Sequence, residues 1–139
     1  MESVFLTRRV TFDAEHRYHR PDWTAAENER VFGDVHAPYH GHTYTCSVTV
    51  TGAVDPTSGM LVDLKTLDRI LDHEIVRRFH GKRLNDDVPE LRNGEITPTG
   101  ENLARFIFDR VAGALSDGAR VTEVTVAEDA TPRATVRRD

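Results

Sequence analysis

His40-Gly41-His42 opens a run in which Tyr44, Cys46, Val48 and Val50 are apolar, while Thr43, Thr45, Ser47 and Thr49 between them are polar. That is the two-residue period of a β-strand with one buried face. Both histidines share the even parity, so both imidazoles leave the chain on the apolar side. If the strand reaches them, their Cα atoms stand about 6.6 Å apart. Two rings at that spacing can converge on one ion at about 2.0–2.1 Å each, the zinc–nitrogen distance. Gly41 removes the side chain from the opposite face. A lone His-x-His carries little weight, because such pairs often sit in solvated turns. A third imidazole strengthens it. His16 has the parity of Phe12 and Ala14 and ends the first apolar run. If the first two strands pair as an antiparallel hairpin, His16 comes to lie beside His40 and His42. Three neutral imidazoles leave one tetrahedral position free, the pattern of a catalytic zinc.

Glu128 is the next anomaly, since it falls on the parity of Val124 and Val126. A carboxylate buried there without partners is expensive, and its two acceptors suit the paired N–H donors of a guanidine-like edge. A solvated glutamate at a strand end fits the pattern equally well. Cys46 is no nucleophile for this site. It lies four residues beyond His42, about 13 Å along the strand, and reads as a small buried apolar side chain.

The elements that must hold these groups follow from periodicity. Val4 to Ala14 reads as the first strand, continuing to His16, and His40 to Gly52 as the second. The polar stretch from Tyr18 to about Pro38 between them is a long loop, and loops of that length in a compact domain are often functional. After the turn at Gly52–Gly59, Asp63 caps a helix of about 15 residues, with Leu64, Leu67, Ile70, Leu71, Ile75 and Phe79 on its apolar side. A polar connection spans His80 to Glu95. Thr97 and Pro98 start a second helix with Leu103, Phe106, Ile107, Val111, Ala114 and Leu115 inward, and Asp117-Gly118 stops it. Val121 to Glu128 and Ala134 to Arg137 are the last strands. The order strand, strand, helix, helix, strand, strand predicts an α+β fold, a four-stranded antiparallel sheet with both helices on one face. The sheet's other face then needs a cover, which a second subunit would supply.

The chain has 139 residues, which suits a single domain over 1–139, and a hydrophobic fraction of 38% that gives a lone copy a thin core. Net charge is −5 with no basic tract, so no nucleic-acid footprint is present. One cysteine excludes an internal disulfide framework, and neither a signal peptide nor an apolar run of the ~20 residues a membrane span needs is visible. The expectation is a cytoplasmic protein without membrane partners. Seven histidines are many for this length, and five of them fall between His16 and His42.

Six short segments in order make the chain similar to a known family. They are Phe12-Asp-Ala-Glu-His16-Arg17, His40-Gly-His-Thr-Tyr44, Asp55-Pro-Thr-Ser-Gly-Met60, Leu84-Asn-Asp-Asp-Val-Pro89, Pro98-Thr-Gly-Glu-Asn-Leu103 and Val126-Ala-Glu128. The chain resembles the 6-pyruvoyl-tetrahydropterin synthases and the related 6-carboxy-tetrahydropterin synthases over most of its length. The resemblance implies the T-fold, in which ββααββ subunits assemble into barrels as trimers or hexamers. It implies zinc on His16, His40 and His42. It also implies that Glu128 grips the pyrimidine edge of a pterin, helped by Thr99, Gly100 and Glu101.

The departures matter too. Family members carry a cysteine four to six residues before the His-Gly-His segment, and this chain has Asp34, Val35 and His36 there. The family's adjacent Asp-His pair after the first helix is replaced by Phe79-His80. General acid–base work would fall to His80, His36 or Asp34, with histidine suited to proton exchange near neutrality. The expected function is a zinc-dependent lyase acting on the C6 side chain of a reduced pterin such as 7,8-dihydroneopterin or its triphosphate. Efficient synthesis of 6-pyruvoyl- or 6-carboxy-tetrahydropterin is not expected without the cysteine. The alternatives are a pterin-binding homologue without synthase activity, and a zinc enzyme for another heterocycle with a guanine-like edge.

Overall fold

The computed structural model describes every residue except Asp117. Its centre is an antiparallel sheet. Strand β1 (Phe5–His16) pairs with β2 (His40–Thr51), β2 pairs with β4 (Arg120–Glu128), and β4 pairs with β5 (Arg133–Arg137). A two-residue strand, β3 (Lys82–Arg83), adds a fifth member parallel to β1 at Ala14 and Glu15. No two-residue strand has a period to read, which is why the sequence suggests four strands. The β1–β2 register is unbroken from Phe5 opposite Thr51 to His16 opposite His40.

One face of the sheet is the core. Phe12, Ala14, Tyr44, Cys46, Val48, Val50, Val124 and Val126 are buried there, under two helical segments. The first runs from α2 (Leu64–Leu71) through a π turn (Asp72–Val76) into α3 (Arg77–Phe79). Asp63 caps it, accepting from the Lys65 amide at 3.2 Å. The π turn has a cause in the spacing. Leu67, Leu71, Ile75 and Phe79 are all fully buried and recur every four residues. In a regular α-helix that spacing drifts about 40° per step, and one wider turn returns the later pair to the buried side. A short helix, α4 (Leu84–Asp87), follows β3.

The second helix, α5 (Gly100–Ala114), packs on β4 and β5. Its cap is Thr99, whose Oγ1 accepts from the Asn102 amide at 3.1 Å, and not Thr97 as the Thr-Pro pair suggests. The Thr97 carbonyl is already taken by the Thr99 amide at 2.8 Å, and the Pro98 carbonyl turns away to a histidine. The helix closes at Leu115, ahead of the expected Asp117-Gly118 stop, of which Asp117 lies outside the described residues.

One further expectation changes. The stretch from Tyr18 to Pro38 is not all loop, because it contains helix α1 (Ala25–Phe32), capped by Thr24. Its apolar residues are two adjacent pairs at its ends, Ala25-Ala26 and Val31-Phe32, so it has no periodic stripe. It is tied down instead by buried Asn28, whose Oδ1 accepts from the Arg20 amide at 2.8 Å and whose Nδ2 donates to the Arg20 carbonyl at 3.0 Å. The connection after β3 presses on the start of this stretch. Gly94, at φ +78°, leaves no room for a Cβ, which would stand 2.3 Å from Pro21 Cδ. The sheet's second face, for which the sequence suggests a second subunit as cover, is polar apart from exposed Phe5. It presents Thr7, Arg9, Thr11, Thr43, Thr45, Ser47 and Thr125, with Thr7–Thr49 and Thr125–Thr135 hydroxyl pairs at 2.7 Å. A polar face of an antiparallel sheet is stable against water. No helix among the described residues is long and apolar enough to cross a membrane.

Candidate functional site

The β1–β2 register sets His16 directly opposite His40, with Ala14 opposite His42. The three imidazoles therefore meet at one end of the core face. Ring centroids are 4.6 Å apart for His16–His40 and 5.0 Å for both His16–His42 and His40–His42. One ligand atom from each lies within 4.8 Å of the others.

Hydrogen bonding decides which nitrogen faces inward. His16 Nδ1 donates to the Pro98 carbonyl at 2.7 Å, and His40 Nδ1 to the Pro38 carbonyl at 3.0 Å. His42 Nδ1 donates to Asp129 Oδ2 at 2.8 Å. Carbonyl and carboxylate oxygens only accept, so every Nδ1 carries a proton, and in the neutral imidazole the lone pair then sits on Nε2. The Nε2 atoms of His16 and His42 are buried without a partner among the described residues. Neutral imidazoles held by outer acceptors, with bare nitrogens converging, are the donor set a zinc ion takes. Burial holds His16 neutral, lowering its pKa to about 4.

Asp129 was not anticipated. It follows β4 at φ +53°, a left-handed conformation that Asp tolerates better than most residues. There its second carboxylate oxygen accepts from the Thr43 amide at 2.9 Å. Its one sequence signal is an aspartate at a strand end beside the Glu128 position. Tyr18 was also missed as a site residue, although it continues the parity of His16. Its ring lies 5.2 Å from His16 and 4.8 Å from His36, and burial, then the charges of Glu128 and Glu101, push its pKa up to about 12.

Glu128 pairs with Tyr44 across β4 and β2 and is 6% exposed. Its Oε2 is 3.6 Å from His42 Nε2, and burial raises its pKa. A cavity of about 630 Å³ joins it to Tyr18, His36, Gly100, Glu101 and Arg133. Gly100 forms the near wall, where a Cβ would stand 3.8 Å from Glu128 Oε1. Thr99 holds this wall in place by capping α5. His36 brings its ring to 6.2 Å from that of His40. Asp34 is exposed in the turn after α1. His80 sits at the far side of β1, where its Nδ1 accepts from the Asp13 amide at 3.1 Å. Within one chain the structure thus gathers His16, His40, His42, Glu128, Gly100, Glu101 and His36, and leaves His80 and Asp34 apart.

The family model of 6-pyruvoyl tetrahydropterin synthase matches residues 5–139. The chain belongs to that family. It is 40% identical over 127 residues to 6-pyruvoyl tetrahydrobiopterin synthase of Drosophila melanogaster, covering 90% of this chain and 74% of that protein. To the enzyme of the same name from Poecilia reticulata it is 38% identical over 112 residues, covering 80% and 75%. The solved structure of Caenorhabditis elegans 6-pyruvoyl tetrahydropterin synthase superposes with a TM-score of 0.89 at 30% identity, over 100% of this chain and 98% of that one. The fold is accordingly the T-fold of these synthases, and pterin-synthase chemistry of the lyase type is the activity of the family.

Proposed function

We propose that this member of the family is a zinc-dependent lyase acting on the C6 side chain of a reduced pterin such as 7,8-dihydroneopterin or its triphosphate. The observation that carries the reading is the convergence of three lone-pair nitrogens beside a buried carboxylate in one cavity. His16, His40 and His42 would hold the zinc, which supplies polarisation of a side-chain oxygen. Glu128 would accept the paired N–H groups of the pyrimidine edge. Gly100 leaves space for that edge, and Thr99 and Glu101 complete the wall. Tyr18 lines the cavity beside His16. In place of the family's cysteine, His36 is the proton carrier this proposal favours, since it alone of His36, His80 and Asp34 lines the cavity. Assembly into a homo-oligomer belongs to the same reading. From Phe5 to Asp13, β1 has no strand on its outer side among the described residues, and a long open edge invites pairing with another copy.

The test is turnover of 7,8-dihydroneopterin triphosphate by the zinc-loaded protein, followed by product chromatography. His36→Ala should lower kcat by about 10²–10⁴-fold while pterin binding persists. His80→Ala and Asp34→Asn are run beside it. A full rate in His36→Ala, with loss in either of the others, would move the proton transfer off His36. An absence of turnover in the parent would leave a binding protein.

A further inference from the structure

The segment from Leu84 to Val88 stands outside the cavity, yet it is bonded to the chain beside two of the three candidate ligands. His16 and His40 form the last pair of the β1–β2 ladder, whereas His42 lies two residues inside it. The end of a ladder opens more easily than its middle, because no further pair holds it. Leu84 and Val88 root the segment in the core at 0% and 1% exposure, and Asn85 and Asp86 stand between these roots. Asn85 takes both backbone groups of Arg17. Its Oδ1 accepts from the Arg17 amide at 3.0 Å, and its Nδ2 donates to the Arg17 carbonyl at 2.9 Å. A continuing strand would pair in the same way, and this pairing follows directly on β3, whose partners on β1 are Ala14 and Glu15. The peptide leaving His16 is thereby held. On the other strand, the Tyr39 hydroxyl donates to Asp86 Oδ2 at 2.6 Å. The Tyr39 ring also meets the guanidinium groups of Arg17 and Arg83, at 5.2 and 4.4 Å from its centre. The residue entering His40 is held by the same segment.

We infer that Asn85 and Asp86 are positioning residues which, with Tyr39, clamp the open end of the β1–β2 hairpin and so set the separation of the His16 and His40 imidazoles. The inference rests on the reading of the three histidines as zinc ligands and goes beyond it, because none of the clamp residues belongs to the converging set. Ligands gathered from a frayed hairpin would give up conformational entropy on binding an ion, whereas ligands fixed on folding do not. The clamp therefore acts on affinity and on ligand geometry through the backbone at Arg17 and Tyr39. Its two arms differ in kind. The Asn85 arm is a neutral two-point pairing, and the Asp86 arm is a short bond to an ionised acceptor.

The experiment uses the full chain and two readouts. Zinc affinity is measured by competition with a chelator, and the visible absorption of the Co²⁺-loaded protein reports ligand geometry. Asn85→Ala frees Arg17, and Tyr39→Phe removes only the hydroxyl. Each should lower zinc affinity by about tenfold, the lower end for groups outside the ligand shell, and each should alter the cobalt spectrum. Asp86→Asn keeps an acceptor for the Tyr39 hydroxyl and should retain the parental affinity and spectrum, while Asp86→Ala should match Tyr39→Phe. Combining Tyr39→Phe with Asp86→Ala should lose no more than either alone, because both break one bond. Thermal melts show that each variant is folded, and Tyr39→Phe, which keeps the ring, carries the test if Asn85→Ala is not. Val48→Ala is the control, since it weakens the core away from the histidines. Parental affinity and spectrum in Asn85→Ala or Tyr39→Phe would overturn the inference. So would losses no greater than that of Val48→Ala. In both cases the zinc reading survives. If neither Zn²⁺ nor Co²⁺ binds the parent, that reading falls and takes the clamp with it.

Discussion

The two halves of β2 lie on one strand and one face, yet they obey opposite rules. Cys46, Val48 and Val50 are fully buried against Val124, Val126 and the helices, with their backbone paired in the ladders to β1 and β4. His40, His42 and Tyr44 sit on the same face toward the other end. There Phe12 stacks on Tyr44 at 5.0 Å, but His16 Nε2, His42 Nε2 and Tyr44 Oη are buried with no partner among the described residues. Burial raises the Tyr44 pKa above the ordinary tyrosine range. An unsatisfied buried polar atom costs about 1–3 kcal/mol. The lower half supplies stability, and the upper half gives some of it up to keep nitrogens bare for a ligand. Local rules fail at functional sites in this way.

The contrast breaks most sharply at the ligands. His42→Ala should lower zinc affinity by far more than Asp129→Asn, which leaves the nitrogen in place and only frees its ring. The aspartate change should cost about 10–100-fold, as outer partners do. Competition against a coloured chelator measures both, and equal losses would mean that His42 does not touch the ion. In the lower half the effect changes kind. Val48→Ala should cost about 2 kcal/mol of stability, from lost apolar burial plus an unfilled space, read as a shifted urea midpoint at constant m-value. Zinc affinity should stay at the parental value. A tenfold change there would show that the two halves are not separable.

The same contrast accounts for what the sequence could reveal. Alternation is strict along β2 and interrupted along β1 only by Phe5 and Arg8, so the strands follow from parity, and the meeting of His16, His40 and His42 follows once the two strands pair. Glu128 was legible because a carboxylate interrupts Val124 and Val126 on the buried face. The outer acceptors were not. Two are the carbonyls of Pro38 and Pro98, and a carbonyl leaves no mark in a sequence. Asp129 looks like any turn aspartate. Helix α1 hid because a buried asparagine, not an apolar stripe, fastens it. The π turn hid because a four-residue apolar spacing looks helical until the drift is added up. His36 and His80 are equivalent as loop histidines in the sequence. Their separation depends on how α1 and β3 fold back, which is a long-range outcome.

The smallest effect tests how well the lower half is sealed. Burial pushes the Cys46 thiol up to about 12, against about 8.5 in an unfolded chain. Between those values the unfolded state binds fewer protons than the folded one, so stability must fall as pH rises. The contribution is intact at pH 8 and lost progressively above the unfolded value. Cys46→Ala has no thiol to titrate, and its cavity lowers stability equally at both pH values. The parent should therefore lose about 2 kcal/mol more than the variant between pH 8 and pH 10, measured from urea unfolding at each pH. Tyrosines and lysines that titrate in the same window cancel in the difference. Parallel losses would mean that the thiol meets water in the folded state, and that the seal between the two halves of β2 is not where the burial pattern puts it.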